Sequence, residues 1–178
     1  MKILVCISSV PDTTSKINFT ADKSAFDKNG IQWVINPYDE FALTKAVKLQ
    51  ESQGATVTIA TVGDVATEAV MRKALAIGAN DAIRVNAEPQ DSITVAKELA
   101  KIVEEGGYDL VLCGKESIDY NGAAVPAMIA QLLNRPFVNA CVGLEVNGAE
   151  ATVVREIEGG KETLIVKIPA VIAGQKGM

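Results

Sequence analysis

Short strand-like runs, the first of them continuously apolar, recur in the N-terminal part of this chain, each closed by turn residues and followed by a stretch of helical character. Ile3 to Ile7, Thr56 to Val62, Asp81 to Val85 and Asp109 to Gly114 are the four runs. A strand that alternates in polarity has one wet face. A continuously apolar strand needs cover on both faces, which helices on either side of a parallel sheet supply. The intervening helix signals agree. Asn36-Pro37-Tyr38-Asp39-Glu40 offers an N-cap, a proline for the first helical position and acids for the first turn. This helix should run to about Gln53-Gly54, with Phe41, Ala42, Ala46 and Leu49 facing inward. Asp64 opens a second helix that ends at Ile77-Gly78, where glycine suits the left-handed C-terminal position. A third spans Ser92 to Glu105, and a loop from Lys115 to Asn121 leads into a fourth that ends near Asn134. This rhythm predicts an α/β fold, a Rossmann-like three-layer domain on a mostly parallel sheet, with residues 1–178 as one domain.

Two regions break the rhythm. Residues 13–33 form a polar excursion containing Asn29-Gly30, read as a hairpin closing at Trp33-Val34-Ile35. From Asn139 onward alternating segments appear, Gly143 to Val146, Ala151 to Ile157 and Glu162 to Ile168, parted by Asn147-Gly148 and Glu158-Gly159-Gly160. These predict a C-terminal antiparallel extension. Pro169 to Ala173 reads as a last short strand, and Gly174 to Met178 as a linker.

Composition narrows the function. Apolar residues make up 48% and aromatics 4%, which suits a core of Val, Ile, Leu and Ala. The net charge of -5 and the lack of any Lys/Arg cluster argue against nucleic acid as a partner. Cys6, Cys113 and Cys141 share no CxxC spacing and sit in apolar runs, so they read as reduced core thiols in a cytoplasmic setting. No window approaches the roughly 18 apolar residues of a membrane span. The absence of histidine removes Ser-His-Asp and Cys-His nucleophilic sites, and three scattered cysteines make a poor zinc set.

In an open α/β sheet a ligand settles beyond the carboxyl ends of the strands, where successive connections leave in opposite directions. The reading places that point between the first and fourth strands. Three segments then converge on it: Ser8 to Pro11, Asn36 to Asp39, and Gly114 to Val125. Helix starts at Asn36 and near Gly122 would turn unpaired N–H groups toward an anion or phosphate. Gly122, with Ala123 and Ala124, permits close approach, and Asp119 and Asn121 could bond a ribose or base. Capping and turn roles for Asn36 and Asp119 are the commoner alternative. The G-x-G-x-x-G, G-x-x-x-x-G-K-[ST] and Ser-Gly-Gly nucleotide fingerprints are all missing. Asp64, Asp91 and Glu98 fall in helix first turns or on exposed faces, so no catalytic constellation emerges.

Several blocks, in order, resemble the beta subunit of electron transfer flavoproteins, the FixA family. They are Val10-Pro11-Asp12-Thr13, Ile35-Asn36-Pro37-Tyr38-Asp39-Glu40, Ala74 to Ala79, Gly114-Lys115-Glu116-Ser117-Ile118-Asp119, and the stretch VVREIEGGKETLIVKIPAVIA from Val153 to Ala173. The resemblance implies an adenine nucleotide alpha hydrolase-like fold and a carrier of electrons rather than an enzyme. It also implies a heterodimer with an alpha subunit that holds most of the FAD, and flavin dehydrogenases as redox partners. AMP, or a second FAD in members that bifurcate electrons, would lie in the crevice of this subunit. Its contacts would be Cys6, Asn36, Pro37, Tyr38, Asp39, Val62, Gly114, Asp119, Asn121, Gly122, Ala123, Ala124 and Val125.

The chain departs from the family at Tyr120 to Pro126. Members that hold AMP carry an acidic run and Asn-Gln-Thr there. Ala123 and Val125 look more like the members that hold FAD, whose intervening glutamine is Ala124 here, so both nucleotides stay open. With polar side chains lost, the N–H groups of residues 122–125 are expected to hold the phosphates. The family's partner-docking loop and C-terminal arm would follow Met178. The competing readings are an ATP-binding, universal-stress-like or nucleotide-sensing protein of the same superfamily, and a structural subunit that has lost its ligand.

Overall fold

The structure is a computed structural model that describes residues 1–178. In chain order the elements are β1 (Lys2–Cys6), β2 (Ser9–Pro11), β3 (Trp33–Ile35), α1 (Pro37–Gln53), β4 (Thr56–Val62), α2 (Glu68–Ile77), β5 (Asp81–Val85), α3 (Ser92–Gly106), β6 (Leu110–Gly114), α4 (Val125–Leu132), β7 (Phe137–Asn147), β8 (Glu150–Ile157), β9 (Gly160–Lys167) and β10 (Ala170–Gly174). Eight strands form one sheet in the order β5-β4-β1-β6-β10-β7-β8-β9. Neighbours from β5 to β7 are parallel, and β8 and β9 add antiparallel to that edge.

Successive side chains of a strand point to opposite faces, and here the two faces are both dry. Ile3, Val5, Ile59, Leu110, Leu112 and Ile172 enter one apolar cluster with Ala42, Leu43 and Ala46 of α1 and Val70 and Met71 of α2. Leu4, Cys6, Ala60, Val111, Cys113 and Val171 enter another with Leu99 and Val103 of α3 and Ile129 of α4. Each fully buried Leu or Ile contributes about 1.5–3 kcal/mol relative to exposure. These two layers are what make β1 read as a continuously apolar run.

The extension is different. Val146, Ala151, Val153 and Val166 join the first cluster, whereas Ile165, on the opposite face of β9, is 72% exposed. One covered face explains the alternating pattern of these segments. Their tight turns place Gly148 at φ 61° and Gly159 at φ 83°, a region that favours glycine.

The expected hairpin over residues 13–33 takes the form of β2 paired antiparallel with β3, with one further bridge between Phe19 and Phe26. Four local expectations need correction. On α1 the inward side chain is Leu43, fully buried, and Phe41 is only half-buried. Asp64 caps a 3-10 turn, Val65–Thr67, that precedes α2, by accepting the Ala66 N–H at 2.9 Å. Gly78 closes α2 at φ 142° and ψ 2°, outside the left-handed helical region. The helix after β6 begins at Val125 rather than near Gly122, because Asn121 (φ 52°) and Ala123 (φ 49°) are left-handed and interrupt any helix before Pro126.

The last strand shows the largest effect of tertiary structure. β10 inserts between β6 and β7, pairing Ala170 to Gly174 with Leu110 to Gly114 on one side and Val171 and Ile172 with Phe137 and Val138 on the other. The chain leaves β1 toward β4 and leaves β6 toward β7, so the connections diverge between β1 and β6, as expected. No helix is long and apolar enough to cross a membrane.

Candidate nucleotide-binding site

The carboxyl ends of β1, β4 and β6 carry Cys6, Val62 and Gly114, and the starts of α1 and α4 follow from the same edge. At the centre is Asp39, 4% exposed. Its Oδ2 accepts the Ser8 N–H at 2.7 Å and its Oδ1 accepts the Gly114 N–H at 2.9 Å, so one carboxylate ties the end of β1 to the end of β6. Burial pushes the Asp39 carboxyl up to about 7, against the opposing pull of those N–H donors.

Gly114 is required by this approach. A Cβ there would press on the Asp39 carboxylate and lie 2.6 Å from Tyr38 Cβ and 2.8 Å from the Asp39 amide nitrogen. Lys115, the next residue, stacks over the Tyr38 ring at 5.2 Å and pairs with Glu116 at 3.5 Å.

Asn36 occupies the N-cap position of α1, but its side chain makes no capping bond. It reaches across to the loop after β6 instead. Its Nδ2 donates to the Glu116 carbonyl oxygen at 2.8 Å and its Oδ1 accepts the Ile118 N–H at 3.2 Å. The start of α1 is therefore largely spent within the chain. Pro37 has no N–H, and the Asp39 and Glu40 N–H groups both donate to the Asn36 carbonyl.

The start of α4 is the reverse. The N–H groups of Gly122, Ala123, Ala124 and Val125 have no acceptor within the chain. Ala123 is left-handed and Ala124 right-handed at φ -101° and ψ -37°, an alternation that turns consecutive N–H groups to one side as an anion-binding concavity. Nothing lies within 4 Å of a Cβ built at Gly122, so the approach is open. Orphan donors at a helix start suit a phosphate or pyrophosphate, and the residues present fit an adenine nucleotide's anionic end.

The other expected residues divide. Asp119 and Asn121 are exposed on the loop, where the Ser117 hydroxyl donates to Asp119 and the Asn121 N–H donates to the Ser117 carbonyl at 2.8 Å. Cys6 and Cys113 are buried free thiols at neighbouring strand ends. A hydrogen bond with Cys6 and burial hold the Cys113 thiol well above the usual range. Sequence reasoning places Ser8 and Glu116 in the converging segments without marking their backbone contacts, and it misses Gly174, read as linker, as a member of this edge. The Lys115 N–H donates to the Gly174 carbonyl at 2.9 Å. No local pattern marks these backbone contacts. Surface depressions of about 260 and 280 Å³ lie elsewhere, between α3 and Leu132 and between α1 and β7.

A sequence model described as the electron transfer flavoprotein domain matches residues 24–178. The electron transfer flavoprotein subunit beta of Bacillus subtilis is 33% identical over 182 residues, covering 100% of this chain and 70% of the relative. That of Syntrophomonas wolfei is 36% identical, covering 98% and 69%. Protein FixA of Azotobacter vinelandii is 34% identical, covering 99% and 66%. With a family domain over most of its length and beta-subunit relatives above 30% identity across nearly all of it, this chain belongs to the electron transfer flavoprotein beta-subunit family.

Proposed function

We propose that this chain is the beta subunit of a heterodimeric electron transfer flavoprotein and holds an adenine nucleotide, AMP or a second FAD, beyond the carboxyl ends of β1 and β6. It carries electrons between flavin dehydrogenases and an acceptor and turns over no substrate of its own. One observation carries the nucleotide reading: the four consecutive unpartnered N–H groups from Gly122 to Val125 at the divergence of the sheet's connections. FAD, held mainly by an alpha-subunit partner, supplies the redox chemistry.

The residues of this chain bind and orient. Backbone donors at 122–125 meet the phosphates, which need no lysine cluster because neutral N–H groups at a helix start already favour an anion. Cys6 and Val62, at the carboxyl ends of β1 and β4, give the same edge an apolar border. Asp39, buried with each oxygen accepting a backbone N–H, serves as a structural tie between the ends of β1 and β6.

The test is to purify the chain with its alpha partner, denature the complex and identify the released nucleotides by absorbance and chromatography. A yellow complex should release FAD together with AMP, or FAD in excess of the partner's own. Colourless protein releasing only ATP would favour the universal-stress-like reading. A complex whose only nucleotide is the partner's FAD would mean a subunit without its ligand.

A further inference from the structure

The first turn of α1 has the residue types of a ligand site, yet its polar atoms are already committed. Asn36 is 1% exposed, and its amide uses Nδ2 on the Glu116 carbonyl and Oδ1 on the Ile118 N–H, while its own N–H donates to the Ser8 carbonyl at 2.9 Å. A nucleotide that took either side-chain atom would have to break a buried hydrogen bond and leave a backbone group unpaired.

We propose that Asn36 is a positioning residue of the nucleotide site, which fixes the loop after β6 so that the N–H groups of residues 122–125 face one point. This rests on the reading that a nucleotide occupies that edge. Beyond Ile118 the loop is braced by its own contacts, the Asn121 N–H on the Ser117 carbonyl and the Ser117 hydroxyl on Asp119. It is therefore anchored to α1 through Asn36 and leads directly into the left-handed Ala123. The anchor needs one donor and one acceptor on a single short planar group, which an amide supplies and an ionised carboxylate does not.

Asn36→Asp keeps the shape and makes the anchor depend on pH. Ionised, it faces the Glu116 carbonyl with no proton to offer; protonated, its O–H restores the missing donor. Burial and that carbonyl both favour the protonated form. The ionisable groups around the position are Asp39 on α1, the Lys115–Glu116 pair after β6 and the Cys6 and Cys113 thiols at the strand ends. The Lys115–Glu116 pair and the thiols are common to both proteins and cancel in a ratio of variant to wild type. Asp39, kept ionised in part by the Asn36 side chain, instead feels a carboxylate at position 36 directly. The same ratio is therefore also taken in an Asp39→Asn background, where the recovery at low pH should persist and its disappearance would overturn the proposal.

The experiment measures AMP binding to the complex with the alpha subunit by equilibrium dialysis, AMP being the moiety shared by both candidate nucleotides. At about pH 8 Asn36→Asp should bind AMP roughly tenfold more weakly than wild type, the loss of about one buried hydrogen bond. At about pH 5.5 the ratio should return to within roughly threefold. A ratio near one throughout, or one depressed equally at both pH values, overturns the proposal. Wild-type protein gives a second measurement that no folding defect can obscure. AMP should shift the amide NMR signals of residues 122–125 and leave the Asn36 side-chain NH2 signals in place; equal shifts would make Asn36 a contact and overturn its positioning role. If wild type binds no AMP or FAD beyond the partner's own, the nucleotide reading falls and takes the proposal with it. If it binds while the ratio stays at one, only the proposal falls.

Discussion

The Gly114 N–H donates to the Asp39 carboxylate at 2.9 Å in the interior, across 75 residues of sequence, and the missing Gly114 side chain is what lets α1 approach β6 this closely. Gly114→Ala should destabilise the protein by about 1–3 kcal/mol, because the atoms it meets include backbone and a buried carboxylate that cannot move aside freely. A lowered urea midpoint with an unchanged slope would show this.

The Asp39 carboxyl has a folded value of about 7 against 3.8 for the free group, so the folded protein binds a proton there that the unfolded chain has released. Its contribution to stability is therefore full below about 3.8 and is lost as pH rises through about 7. Asp39→Asn cannot titrate. The stability difference between wild type and this variant, read from chemical denaturation, should drift against wild type up to about pH 7 and level off above it. A constant difference across that range would refute the assignment.

Ala123 adopts φ 49°, where a Cβ is strained. Ala123→Gly should raise stability by up to about 1 kcal/mol, the relief exceeding glycine's extra unfolded-state entropy. Gly122→Val should leave the melting temperature nearly unchanged, since nothing lies within 4 Å of a Cβ there, but should reduce the nucleotide released on denaturation. Unchanged nucleotide content would mean that the phosphates are held elsewhere.

Burial pushes up the Cys141 thiol, and a hydrogen bond with Cys6 together with burial pushes up that of Cys113. Both should resist alkylation in the native protein at neutral pH and react once it is unfolded, as read by mass spectrometry of iodoacetamide-treated samples. Labelling of native Cys113 at the rate of the unfolded chain would indicate that the ends of β1 and β6 open readily.

Much of this architecture is visible in local pattern. The bounds of β4 and β5 coincide with the runs Thr56–Val62 and Asp81–Val85; β4 is buried on both faces, whereas β5, the edge strand, has no fully buried residue and owes its legibility to the turn residues that bound it. The turns at Asn147-Gly148 and Glu158-Gly159 announce the antiparallel extension for an equally local reason. The site was only half legible. Gly114, Asp39 and Asn36 could be singled out, but nothing near them shows that Asn36 would forgo capping for carbonyl and amide groups 80 and 82 residues away. The start of α4 was misplaced because Asn121 and Ala123 take a left-handed conformation that their residue types do not demand.

By itself, the sequence determined the alternation of strands and helices, the two-faced burial of the parallel strands, the divergence of connections between β1 and β6, and the family. Each depends on residues near one another along the chain or on the order in which the resembling blocks occur. Only the tertiary structure decided that β10 threads between β6 and β7, that Asp39 and Asn36 spend their polar atoms inside the protein, and that four consecutive free donors gather at the start of α4. Those outcomes depend on which strand ends meet in space, and a buried carboxylate or amide takes whatever partner that meeting provides.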